Sequence, residues 1–170
     1  APVRNRPFFT ADLYPLPGVD PGKDRDCHMK IGLLPLYIAL YDRTSPSMRP
    51  RLEAFYQEIA QEFAKRGVEV ETSPFCRLKP EFEQAVGKFE AAGVDALVTL
   101  HMAYSPSLES IDVLAGTALP IVVLDTTETL EFTNGQDPVE IDYNHGIHGV
   151  MDMCSMLTRE GKDYAVAAGH

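Results

Sequence analysis

Hydrophobic positions change period repeatedly along this chain. From Met29 onward, short apolar runs alternate with stretches of helical period. KIGLLPL (30–36) is an apolar run ending near a proline. In SPSMRPRLEAFYQEIAQEFAKRG (45–67), Leu52, Phe55, Tyr56, Ile59 and Phe63 fall on one helical stripe, and Gly67 supplies the stop. VEVETSP (68–74) alternates with period two. KPEFEQAVGKFEAAG (79–93) repeats the helical pattern through Phe82, Val86 and Phe89 and stops at Gly93. VDALVTLH (94–101) predicts a third strand. SPSLESIDVLAG (105–116) predicts a helix with Ser105 as N-cap and Pro106 at the first helical position. LPIVVLD (119–125) predicts a fourth strand. YNHGIHGVMDMCSMLTREG (143–161) predicts a long helix capped by Asn144 and ended by Gly161, and YAVAAGH (164–170) a short fifth strand.

Strands alternating with helices of this length imply a parallel sheet covered on both faces. The expected fold is therefore α/β: a three-layer flavodoxin-like or Rossmann-like sandwich with a five-stranded parallel sheet, over residues 29–170. Residues 1–28 hold five prolines and no apolar period. They read as an irregular arm, either a mobile extension or a segment packing Phe8, Phe9 and Tyr14 on a neighbouring surface.

In sheets of this kind ligands gather beyond the carboxyl ends of the strands. That rule directs attention to Leu36 and Tyr37, Pro74 and Phe75, His101 to Ser105, Asp125 to Glu128, and the start of the last long helix. The usual occupants of that edge lack their motifs. There is no GxGxxG after the first strand, no GxxxxGK[ST], and no DxHxxG for cobalamin. Cys76 is the one cysteine well placed at a strand end, too few for a two-cysteine racemase.

Charge narrows the field further. A net charge of −10 argues against phosphate-backbone binding and against docking on anionic lipid, so neither a nucleic acid nor a membrane is expected as partner. Three scattered cysteines without a CxxC pair fit reduced thiols. No charged-then-apolar leader opens the sequence, and the expected location is cytoplasmic.

Two of the five histidines, His145 and His148, lie three positions apart at the start of the last long helix. Helical spacing sets Ile147, Val150, Met151, Cys154 and Leu157 on the face expected to pack on the sheet, and His145, His148 and Asp152 on the opposite face. Three readings fit that polar face: a solvated surface with Asp152 favouring a charged His148, a metal site, or a contact to a substrate or a neighbouring subunit. Two histidines and one carboxylate from one helix are seldom a closed metal site.

Three stretches resemble a known family. KIGLLPLYIALYD, LVTLHMAYSPS and DYNHGIHGVMDMCSMLTREGKDYAVAAGH are similar to the N-terminal domain of the L-fucose/L-arabinose isomerase family, over Lys30 to His170. The resemblance implies a metal-dependent aldose–ketose isomerase, commonly using manganese, whose metal-binding carboxylates and histidine lie in later domains that have no counterpart here. It implies that this chain is a substrate-capping and oligomerisation domain, inactive alone, with no catalytic and no metal-ligating residue of its own. Its partners would then be a sugar bound through a neighbouring subunit of a homo-oligomer, and the later domains. His148 matches the family's sugar-contacting histidine, His145 stands where arabinose isomerases have glutamine, and Tyr104 occupies the aromatic position before Ser-Pro. Leu34 stands where fucose isomerases have arginine, which leaves the sugar open. The other expectation is a free-standing flavodoxin-like binding or regulatory module.

Overall fold

The computed structural model describes residues 28–170. The arm expected over 1–28 lies, apart from His28, outside the described residues. All five expected strands form: β1 (Lys30–Leu36), β2 (Glu69–Thr72), β3 (Ala96–His101), β4 (Ile121–Asp125) and β5 (Tyr164–Ala168). They make one parallel sheet in the order β2-β1-β3-β4-β5. This is the flavodoxin-like order, and its switch point lies between β1 and β3. Pro35 sits within β1 without breaking it. Its carbonyl accepts the Cys76 N–H on the β2 side, so the N–H that proline lacks would also point where β2 has already ended.

The helices are α1 (Tyr41–Thr44), α2 (Arg49–Lys65), α3 (Lys79–Ala91), α4 (Ile111–Gly116), α5 (Glu140–Asn144) and α6 (Gly146–Arg159). On one face of the sheet α3, α4 and α6 bury Phe82, Phe89, Leu114, Met153 and Leu157 against Leu34, Leu97, Ile121 and Val123. Gly32 makes the close approach possible, since a Cβ there would lie 2.7 Å from the Phe89 ring. On the other face α2 seats Leu52, Tyr56 and Ala60 against Ile31, Leu33, Val98 and Leu100. The Tyr56 hydroxyl donates to the Leu33 carbonyl at 3.0 Å and accepts from the Ser73 N–H at 3.2 Å. Burial pushes its pKa up to about 12. Phe55, Ile59 and Phe63, expected on the same buried stripe, are only half-buried.

Three local expectations are corrected. Ser105 does not cap a helix: its hydroxyl is buried against His101, the chain makes a 3-10 turn over Ser107–Glu109, and α4 begins only at Ile111. Asn144 does not cap α6. It ends α5, and His145 occupies the cap position of α6. The buried face of α6 is Gly146, Gly149, Val150, Met153 and Leu157, whereas Met151 is 56% and Ile147 38% exposed. The helix is rotated so that its glycines face the sheet, which lets its backbone come closer than any side chain would allow.

Candidate functional site

The loops after β1 and β3 and the start of α6 converge at the carboxyl edge of the sheet. β3 ends at His101, which is 4% exposed. Its Nδ1 lies 2.8 Å from the Ser105 hydroxyl, while its Nε2 has no hydrogen-bond partner among the described residues. Desolvation lowers its pKa to about 4, with the Asp152 carboxylate pulling weakly the other way, so the ring is neutral near pH 7. Between these two residues Ala103 takes a φ of 56°, a left-handed conformation that a non-glycine residue rarely adopts. This bend turns Tyr104 out of the strand direction.

α6 docks on this bend through its glycines. A Cβ on Gly146 would lie 2.5 Å from the His101 carbonyl oxygen, and one on Gly149 would lie 2.5 Å from the Ser105 hydroxyl and 2.7 Å from His101 Nδ1. Asp152 also reaches across to the chain after β3. Its carboxylate accepts the Ser107 N–H at 2.8 Å and so satisfies the turn after β3.

The close approach brings the three expected contact residues together. The Tyr104 and His145 rings stack with centroids 6.0 Å apart and planes 23° off parallel. His145 and His148 meet edge to face at 5.4 Å. His145 Nδ1 lies 3.0 Å from the Ile141 carbonyl, and His148 Nδ1 lies 3.3 Å from the His145 carbonyl. A carbonyl only accepts, so each Nδ1 carries the hydrogen, and Nε2 is the nitrogen left to face outward partners. His145 is half-buried and His148 exposed.

Residues beyond the expected set extend this edge. Tyr41 packs edge to face on Tyr37 at 6.0 Å, and Tyr37 in turn lies 5.5 Å from Phe75. Burial raises the Tyr41 pKa, and the Asp142 carboxylate raises it further. Aromatic rings thus line the edge on both sides of the switch point. Arg51 closes the far side, pairing with Glu140 through both amino groups at 2.7 Å and with Glu128 at 2.8 Å, its guanidinium 4.2 Å from the Tyr143 ring centre. The Asn144 amide ties the loop inward, accepting from Thr129 N–H and donating to the Thr129 hydroxyl and Glu140 carbonyl. The short loop after β1 carried no motif that marked Tyr41, and Asp142 was visible only as a failed cobalamin pattern. A recess of about 350 Å³ opens beside α2 and β2, lined by Arg49, Glu53 and Phe75 among others, and includes none of the three expected residues.

No group of three His, Cys, Asp or Glu side chains among the described residues is placed to hold a metal ion. No helix among them is long and apolar enough to cross a membrane.

No family model matches the chain, and no curated protein does. Among solved structures it is similar to the transcriptional repressor ascG of Escherichia coli, at 13% identity over 83% of this chain and 59% of that one, with a TM-score of 0.38. An ABC sugar transporter periplasmic sugar-binding protein from Legionella pneumophila matches at 11% identity, over 82% of this chain and 60% of that one, with a TM-score of 0.32. A periplasmic binding ribose operon repressor protein from Lactobacillus acidophilus matches at 14%, over 83% of this chain and 57% of that one, with a TM-score of 0.28. The chain spans less than two thirds of the length of each, and the likeness is one of fold alone. The isomerase expectation, with its manganese, is corrected: no isomerase family model and no curated isomerase matches the chain. The residues that carried the resemblance have local work instead. In YNHGIHGVMDMC, Asn144 holds the Thr129 loop, and Gly146 and Gly149 admit the His101–Ser105 bend.

Proposed function

We propose that this domain is a binding module, not a catalyst, for a small polyhydroxylated ligand of the sugar type. The ligand sits over Tyr104, His145 and His148 at the carboxyl edge of the sheet. One observation carries the reading: both imidazoles have Nδ1 committed to a backbone carbonyl, so both leave Nε2 to outward partners beside a stacked tyrosine ring. Adjacent ring nitrogens at fixed spacing suit vicinal hydroxyl groups, and the aromatic face suits the apolar side of a sugar ring. Tyr41 and Asp142 supply a further ring and a further acceptor on the opposite wall. Exposed Ile147 and Met151 flank the histidines, and we assign to them contact with a second copy of the chain. The unpaired thiols of Cys76 and Cys154 fit a reducing cytoplasmic setting.

The test is titration of the protein with a panel of neutral pentoses and hexoses, followed by amide chemical shifts. Saturable shifts at residues 104 and 145–148 are expected. His148→Ala and Tyr104→Ala should each weaken binding about tenfold, the loss of one hydrogen bond or one stacked face. Sugar-induced shifts that are absent, or that persist unchanged in both variants, would sink the reading.

A further inference from the structure

The two edges of the sheet are built differently. β2, at one edge, carries Glu69 and Glu71 among its four residues, both paired with Lys30. Charges of this kind keep a further strand from adding to an edge. β5, at the other edge, reads YAVAA, with no charge, no proline and no bulge, and follows β4 residue for residue. α6 lies over β3 and β4. Val166, level with Val123 on the side of the sheet where α6 packs, is 51% exposed. Beside it runs a flank of α6 that carries exposed Ile147 and Met151 and then Thr158, whose hydroxyl lies 3.1 Å from the Tyr164 hydroxyl at the start of β5.

The backbone of β5 sets the direction of its free groups. The Gly169 N–H donates to the Asp125 carbonyl at 3.0 Å. Successive residues of a strand turn their backbone groups to opposite sides, so Ala165 and Ala167 also point to β4, while Tyr164, Val166 and Ala168 turn N–H and C=O outward. We propose that this edge pairs antiparallel with the same edge of a second copy, about a two-fold axis at Val166. The proposal rests on the second-copy contact assigned above to Ile147 and Met151, and not on the sugar. Only residues with outward groups then meet. Val166 opposes its own counterpart and Tyr164 opposes Ala168, which closes about six N–H···O=C bonds across the seam. The side chains fit as well, since the large Tyr164 lies against the small Ala168 and the two exposed valines cover one another. The next positions bring Asp163 opposite Gly169 and Lys162 opposite His170, so no carboxylate meets a carboxylate. This match of the strand to itself selects a second copy over an unrelated strand. The net charge of −10 opposes any pairing of copies, but at 0.15 M ionic strength charges farther than about 8 Å from the seam are screened. With α6 over β4, the two α6 helices stand about 14 Å apart, three strand spacings, and Met151 and Val166 line the furrow between them.

Sedimentation of the full chain over a range of concentrations, without sugar, tests this. The unaltered chain is expected to pass from monomer to dimer, and Val166→Lys and Val166→Asp each to remain monomeric. An equal mixture of the two variants should regain the dimer, because only a two-fold at Val166 sets that position against itself. A monomer at every concentration of the unaltered chain overturns the proposal, as does a dimer that survives Val166→Lys or a mixture that stays monomeric. A dimer lost in Met151→Lys but kept in Val166→Lys would leave the α6 contact standing and overturn the strand seam. Amide hydrogen exchange on the unaltered chain gives an answer that needs no variant to fold. The Val166 and Ala168 amides should exchange several-fold more slowly as concentration rises, while Ala167, bonded to β4, stays protected throughout. Exchange at Val166 and Ala168 that is fast at every concentration overturns the seam. Protection that persists at every dilution overturns it too, since it marks a strand of the same chain on this edge.

Discussion

Gly149 passes so close to Ser105 that a methyl group on it would lie 2.5 Å from the Ser105 hydroxyl and 2.9 Å from its carbonyl oxygen. The backbone oxygen has no room to retreat, because Ser105 is fully buried and the bend before it is already fixed. Gly149→Ala should therefore lift the start of α6 and lower stability in urea by about 1–3 kcal/mol, as overpacking does. Gly87, in α3, has nothing within 4 Å of its missing Cβ. Gly87→Ala should raise stability by about 0.5–1 kcal/mol through helix propensity alone. Equal effects from the two would show that the contact at Ser105 is loose.

His101 gives the fold an acid sensitivity. Its folded pKa, about 4, lies below the ordinary 6.5, because the buried ring resists charging. The unfolded chain then binds the proton more readily. Stability is full above about pH 6.5, declines as pH falls from there toward about 4, and levels off below that for this group. At 1.36 kcal/mol per unit the total is about 3 kcal/mol. Urea midpoints measured at pH 7.5 and pH 5 should diverge in the unaltered chain and converge in His101→Gln. A variant that keeps the full difference would place the acid sensitivity in other groups.

Met151 and Met153 should behave oppositely despite being two residues apart. Met153→Ala removes a fully buried side chain and should cost about 2–5 kcal/mol. Met151→Ala, at a position 56% exposed, should change stability by no more than about 0.5 kcal/mol. Thermal melting of the two variants side by side reads the orientation of α6 directly.

Arg51 fastens the long segment between β4 and α5 onto α2. Its side chain is 35% exposed, so the pairs with Glu128 and Glu140 contribute little to global stability. Their effect is local. Arg51→Ala should leave the melting temperature nearly unchanged but make residues 126–139 cleave several-fold faster in limited proteolysis, because local opening there no longer breaks the two ion pairs. Unchanged cleavage would mean that the Asn144–Thr129 bonds alone hold the segment.

The strands were legible because both faces of this sheet demand apolar side chains, and ALVTL and IVVL are nearly continuous in them. The rotation of α6 was not. A stripe of hydrophobic residues is weighted by side chains, and Gly146 and Gly149 have none, although they define the face nearest the sheet. The pattern was therefore drawn toward Ile147 and Met151. Ser105 carried a helix-start signature, but its hydroxyl is taken by His101, and the turn after it is capped by Asp152, 45 positions further on. No local reading reaches that far. The strand-end rule drew attention to both the 101–105 loop and the start of α6, and the resemblance named Tyr104 and His145, but neither foretold the left-handed bend at Ala103 between His101 and Tyr104.

Of the five described strands β1 leaves the ribosome first and yet lies inside the sheet. Lys30, at its foot, bonds Asp95, 65 positions later. At synthesis rates of about 5–20 residues per second, roughly 3–13 s pass before β3 exists to pair with it. Until then Ile31, Leu33, Leu34 and Leu36 have at most the short edge strand β2 to pair with, and sequence-distant pairing of this kind is slow to form even afterwards. The arrangement that places two strand ends around one crevice thus hands the nascent chain an apolar segment that chaperones can seize before the rest of the protein has been made.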